Sequence, residues 1–137
     1  MNFTHFTFAF WCLLVAALLP ILCAGLAKSG RFSLPRKQGG YDNHLPREWL
    51  SRQTDWRARA NAAQANSFEA LPFFFIAVIL AHALGAVQVR VDILCFLWIV
   101  LRVLYVICYV GDMALARSIV WTLALLVNIV VFFVGYH

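Results

Sequence analysis

Charge is what this chain has least of. Only 12% of its 137 residues are Asp, Glu, Lys or Arg, while 64% are hydrophobic. One domain would fit that length, but a water-soluble globule of this size carries about twice the charge, so a membrane protein is the better class. Cysteine is sparse too. Cys12, Cys23, Cys95 and Cys108 lie inside apolar stretches and form no CxxC or Cys/His ligand spacing. Neither a disulfide framework nor a zinc site is therefore supported, and the four thiols read as small apolar packing groups. Asp42-Asn43-His44 offers only two conventional metal ligands and reads as a turn, so no metal site is expected. No internal repeat or low-complexity tract is present. Neither a GxxxG motif nor a heptad seam fixes an oligomeric order. The first apolar segment lacks the basic leader of a signal peptide and is too long for one, which favours a membrane span.

What is present is long apolar runs. Met1 to Ala27 contains no Lys, Arg, Asp or Glu, and further runs cover about 70–89, 93–110 and 119–135. A bilayer core of roughly 30 Å needs ~20 helical residues. The sequence thus predicts an all-α membrane protein, a four-helix up-down bundle in one integral membrane domain, 1–137, with spans at about 6–27, 62–87, 91–110 and 115–135. GAVQVRVD and GDMALAR are short enough to be tight hairpins.

Of the eleven Lys and Arg, eight fall between the first two spans: Lys28, Arg31, Arg36, Lys37, Arg47, Arg52, Arg57 and Arg59. The positive-inside rule makes this loop, 28–60, cytoplasmic and places both termini on the other side. Because orientation already accounts for the basicity, no nucleic-acid partner is expected. Within the loop SGRFSLPRKQGGYDNHLP should be irregular. In PREWLSRQTDW, Pro46 starts a short interfacial helix whose Trp49, Leu50, Gln53 and Trp56 share a face, with Arg47, Glu48, Arg52 and Asp55 pointing elsewhere.

The few polar residues inside the spans fall on stripes. At about 100° per residue, Arg59, Ala62, Asn66, Glu69 and Phe73 share one side of the second long helix. Trp98, Arg102, Tyr105 and Tyr109 do so on the third, and Arg117, Trp121, Ala124 and Asn128 on the fourth. A charge at membrane depth costs upward of about 2.5 kcal/mol unless it faces the bundle interior and pairs. Glu69 and Arg102, at matching depths in antiparallel helices, are the expected structural ion pair. They could serve only as a clamp fixing helix register. Arg59, Asn66, Tyr105, Tyr109 and Arg117 crowd toward the basic loop, however, and would line a cationic, aromatic-walled pocket suited to a small anionic ligand.

The run Asn66-x-x-Glu69-x-x-Pro72-Phe73, preceded by Ala-x-Gln-x-Asn, resembles the signature of the MAPEG family, the membrane-associated proteins in eicosanoid and glutathione metabolism. Arg102-x-x-Tyr105-x-x-x-Tyr109 and Arg117-Ser118 are similar to its later motifs, and the likeness covers about residues 10–134. It implies a homotrimer in membrane lipid, with glutathione as co-substrate held between protomers near the cytoplasmic face. Asn66, Glu69, Tyr105 and Tyr109, with Arg59, would contact glutathione. Arg102 would support the site, and Arg117, with Ser118 beside it, would be catalytic at the sulfur. A thiol of pKa near 8.5 needs only about 1.4 kcal/mol of thiolate stabilisation for each unit of lowering, which a partly desolvated guanidinium supplies. The thiolate would attack a lipophilic small-molecule substrate, an electrophile or hydroperoxide, entering from the bilayer. Family enzymes commonly carry Arg where this chain has Ala62, and some carry another at Ala65. Three functions stay open at this level: a glutathione transferase or peroxidase, a non-catalytic ligand-binding membrane protein, and an assembly protein whose polar stripes are interhelical glue.

Overall fold

The computed structural model describes residues 5–136 and contains five α-helices; the outermost residues of the expected 1–137 domain, and so both chain ends, lie outside the described residues. They are α1 (Phe8–Lys28), α2 (Pro46–Ser51), α3 (Asp55–Ala83), α4 (Gln88–Val110) and α5 (Ala114–Phe133). All but α2 are long and apolar enough to cross a membrane. The four spans stand where the hydropathy puts them, with one difference. α3 begins at Asp55 rather than near residue 62, because the alanine-rich polar stretch continues the same helix out of the apolar region.

α1 and α3 pack along stripes of small residues. On α1 these are Ala9, Cys12, Ala16, Cys23 and Ala27; on α3 they are Ala60, Ala63, Ser67, Ala77 and Ala81, with Phe74 in the same row. The alternating three- and four-residue steps keep each stripe on one face. Small side chains let the two backbones approach closely, which is how helices associate in lipid, where apolar burial gives no drive between them. The larger apolar side chains, such as Leu14, Leu22, Ile76 and Phe96, face outward.

The hairpins close as expected. α3 ends in a Schellman motif: Gly85, at φ 70°, donates to His82 O, and Ala86 N donates to Ala81 O at 3.0 Å. α4 ends the same way with Asp112 in the left-handed position, at φ 59°, and Met113 N on Cys108 O at 2.9 Å. Each connection is thus folded back without an unpaired terminal carbonyl at those positions.

The first loop differs from its expectation. α2 stops at Ser51, and Trp56 belongs to α3. Trp49 and Leu50 are buried against Ala27, Ala60, Tyr41 and Val110, so α2 plugs the end of the bundle as well as presenting a polar side. Asp42-Asn43-His44 is a turn, with His44 N donating to Asp42 Oδ1 at 2.9 Å.

At the opposite end, Asp92 of α4 receives the Ala9 N–H at 2.9 Å and Gln88 Nε2 at 2.7 Å. A carboxylate on the first turn of α1 satisfies an orphan donor and meets the positive end of the helix dipole. Asp92→Ala should therefore lower stability by about 1–2 kcal/mol, as judged from unfolding in mixed detergent micelles. Asp92→Asn, which keeps an acceptor, should lose less than half of that.

Candidate functional site

Arg102 is the buried cation of the bundle, 2% exposed. It sits midway along α4 and reaches α3, where its Nη2 donates to Asn66 Oδ1 at 2.8 Å and more weakly to Ser67 Oγ at 3.4 Å. Its guanidinium lies 4.3 Å from the centre of the Tyr105 ring and 6.0 Å from that of Trp98. Trp98 in turn stacks on Phe74 with centroids 3.7 Å apart and planes within 6°. The charge is held by two hydrogen-bond acceptors and two π-faces.

The expected ion pair is corrected by this geometry. Among the described residues the ion pairs are Arg36 with Asp42, at 3.5 Å, and Arg52 with Glu48, and neither involves Glu69 or Arg102. The reason is angular. Asn66 and Ser67 lie on the side of α3 that meets α4, while Glu69, rotated away, is exposed on the protomer. Neutral amide and hydroxyl oxygens take the place assigned to the carboxylate.

Two chambers open on either side of Asn66. The outer one, about 460 Å³, is lined by Asn66, Tyr105, Tyr109, Arg117, Ser118, Trp121 and Thr122. Arg117 lies over the Tyr109 ring at 4.4 Å, and Tyr109 meets Tyr105 edge to face at 5.6 Å. Five of the residues singled out from sequence therefore converge here from three helices. Among the described residues no carboxylate lines this chamber. Because Asn66 Oδ1 is taken by Arg102, its amide N–H groups remain for the chamber, with two phenol hydroxyls and one guanidinium. Such a donor set fits an anion.

The deep chamber, about 180 Å³, lies between α3, α4 and α5. Glu69, Arg102, Trp98 and Asn128 line it, and Asn66 and Trp121 belong to both chambers. Asn128 and Trp121 share the α5 stripe seen in the sequence, but their part in a cavity is visible only when α5 is set against α3.

Ser118 and Arg59 stand differently from the expectation. Ser118 reaches the outer chamber, yet its hydroxyl donates to Ala114 O at 3.1 Å within its own helix, leaving only acceptor lone pairs for a ligand. Arg59 lines neither chamber. Its Nε donates to Val110 O at 3.0 Å and caps the end of α4. Sequence reasoning missed Arg47, which was set aside as pointing away from the membrane. With Ala62, Ala65 and Gln64 it lines a third cavity of about 420 Å³ beside α3.

The sequence model of the MAPEG family matches residues 8–136, nearly the whole chain. No curated protein and no solved structure matches it.

The buried cation makes one quantitative expectation. Asn66→Ala should destabilise the detergent-solubilised protein by about 1.5–3 kcal/mol, since it removes a charged hydrogen bond from a group that cannot reach water. Combined with Arg102→Met in a double-mutant cycle, it should show coupling of about 1–2 kcal/mol. Glu69→Gln combined with Arg102→Met should couple by less than about 0.5 kcal/mol; a larger value would restore the ion pair.

Proposed function

Because the chain belongs to the MAPEG family, we propose that it is a membrane-bound, glutathione-dependent transferase or peroxidase acting on a lipophilic electrophile or hydroperoxide. The observation that carries this reading is the outer chamber, where Arg117 stands over Tyr109 beside Tyr105 and Asn66 with no carboxylate in the lining. Glutathione carries two carboxylates and a thiol. A chamber of donors suits its anionic groups, and Arg117 is the group we assign to the sulfur.

The chemistry follows from charge. With its guanidinium beside the sulfur, Arg117 stabilises the thiolate relative to the thiol, and Tyr109 holds that guanidinium from its far face. Thiolate attack on an aromatic halide forms a carbon–sulfur bond, expels halide and leaves the thiol proton with solvent. Ser118 is not the donor to sulfur, since its proton is engaged at Ala114 O.

In this reading the basic loop faces the cytoplasm and both chain ends face the other side, the orientation that the distribution of Lys and Arg favours. The protein acts as a homotrimer. Glu69, exposed on the protomer and without an ion-pair partner among the described residues, gains a neighbour when a second copy covers that side of α3. Arg47, in the cavity beside Ala62, supplies positive charge near the position where family enzymes carry Arg.

A second reading is binding without turnover, favoured by Ala62 and Ala65, which carry no charge where the family's enzymes do. Purified protein decides between them. Isothermal titration should detect glutathione binding, and conjugation to a small aromatic halide should follow. Arg117→Ala should reduce the conjugation rate by about 10–100-fold while glutathione binding changes no more than a few-fold. The pH of half-maximal rate should move up in that variant, because the thiolate form is populated at higher pH once the cation is gone. Binding without conjugation would establish the second reading, and a rate untouched by Arg117→Ala would remove Arg117 from the mechanism.

A further inference from the structure

The positive-inside rule accounts for how many Lys and Arg the first loop carries, but not for where each one stands. Four of them have places already described: Arg36 pairs with Asp42, Arg52 with Glu48, Arg59 caps α4 and Arg47 lines the third cavity. Of the others, Lys28, Arg31 and Arg57 gather where the chain leaves α1. Tyr41 N donates to Arg31 O at 2.9 Å, which holds residues 28–31 against 39–41. Lys28 Nζ lies over the Tyr41 ring, 4.7 Å from its centre, and Arg31 Nη1 reaches Gly39, 3.6 Å from where a Cβ would stand. Arg57 arrives from the first turn of α3. Its Nη2 donates to Ser29 O at 2.9 Å, and its guanidinium lies 4.3 Å from the centre of the Trp56 ring.

Among the described residues no carboxylate pairs with any of these three cations. Arg31 Nε and Arg57 Nε are buried without hydrogen-bond partners, so both guanidinium groups are drawn partly out of water with no anion to offset the loss. A phosphate at their terminal nitrogens offsets it, and the planar fork of Arg suits phosphate oxygens. The level of the cluster indicates which phosphate. The apolar run of α1 ends at Ala27, which packs in one cluster with Ala60 of α3, so Arg57, just before Ala60, stands beyond the end of that run. Phe32 is 65% exposed and meets the Tyr41 ring edge to face at 5.4 Å, and Leu34 and Leu45 on the same loop are exposed too. Exposed apolar side chains beside cations belong to a surface lying in the headgroup layer. A soluble anion would use the cations and leave Phe32 in water.

We propose that Lys28, Arg31 and Arg57 bind the phosphate of an anionic glycerophospholipid in the leaflet on the loop's side, with Phe32 seated beside the upper part of its acyl chains. A zwitterionic lipid is disfavoured, because its choline or ammonium group would face three like charges. The bound phosphate ties the turn after α1 to the first turn of α3, adding to the single hydrogen bond that Arg57 makes there. This site lies apart from both chambers and is independent of the chemistry at Arg117.

The test is native mass spectrometry of the full-length protein in a non-ionic detergent, titrated with dioleoyl phosphatidylglycerol or dioleoyl phosphatidylcholine, whose acyl chains are identical. Wild type should bind the phosphatidylglycerol at least about tenfold more tightly, since each cation near an anionic headgroup is worth about fivefold. Arg31→Gln/Arg57→Gln should weaken phosphatidylglycerol about twentyfold and change phosphatidylcholine by no more than about twofold. Arg36→Gln/Arg52→Gln removes the same charge from cations already paired with carboxylates, and should cost no more than about threefold. Arg31→Gln alone breaks no ion pair and should still cost about fivefold, so the outcome does not hang on the folding of the double variant. A wild-type ratio near one overturns the proposal. Equal losses in the two double variants overturn it as well, because the loop then acts as diffuse charge. Displacement of phosphatidylglycerol by millimolar inorganic phosphate overturns it in favour of a soluble anion.

Discussion

The burial of Arg102 is the constraint on which the rest of this structure depends. A guanidinium at membrane depth must be paired by the protein, because lipid offers it nothing. Here the partners are an amide, a hydroxyl and two aromatic faces, all supplied by α3 and α4. For Asn66 and Ser67 to arrive at that level, α3 must stand in one register against α4. Ser67 also belongs to the small-residue stripe by which α3 packs on α1. One polar contact therefore fixes the relative heights of three helices, and the stack of Phe74 on Trp98 extends the same register deeper along α3 and α4.

Much of the fold could be read from the chain because lipid simplifies the rules. Four apolar runs had to be helices, and Gly85 and Gly111-Asp112 marked where two of them turned. The stripes of polar residues were also legible, since a helix puts every third and fourth residue on one side. Arg59, Asn66, Tyr105, Tyr109 and Arg117 thus group on the sequence, the family resemblance adds Ser118, and all but Arg59 line one cavity. What could not be read was the partner across the gap. Asn66 and Glu69 share a stripe, and charge complementarity selects Glu69 for Arg102. Packing selects Asn66, because the side of α3 that touches α4 is set by the small residues facing α1. Arg59 stands apart from the cavity for a related reason: its stripe was right, but the open end of α4 lay nearer.

The small-residue seam shows the same limit from another direction. A search for large apolar residues at heptad spacing finds nothing here, since the residues that repeat at three and four are alanine, cysteine and serine. In water such a stripe would bury too little apolar surface to hold two helices together. In lipid it does the opposite work, admitting close van der Waals contact where bulky side chains would hold the backbones apart. Large apolar residues are displaced outward, so the usual sense of an amphipathic helix is inverted along α1 and α3.

Holding Arg102 with neutral groups has a consequence for the two chambers. A carboxylate partner would have cancelled the cation and left Asn66 free to turn. Instead Asn66 Oδ1 is fixed toward Arg102, and the side chain lines both chambers. The same side chain thereby stands between an outer space lined by Arg117 and two phenols and a deeper one that holds the Glu69 carboxylate. On the proposed reading, that polarity sorts two reactants of opposite character. The charged one is held at the end of the bundle near water, where its own solvation cost is smallest. The lipophilic one arrives from the membrane. The two then meet across Asn66 without a moving part, because the register that buries Arg102 has already fixed both walls.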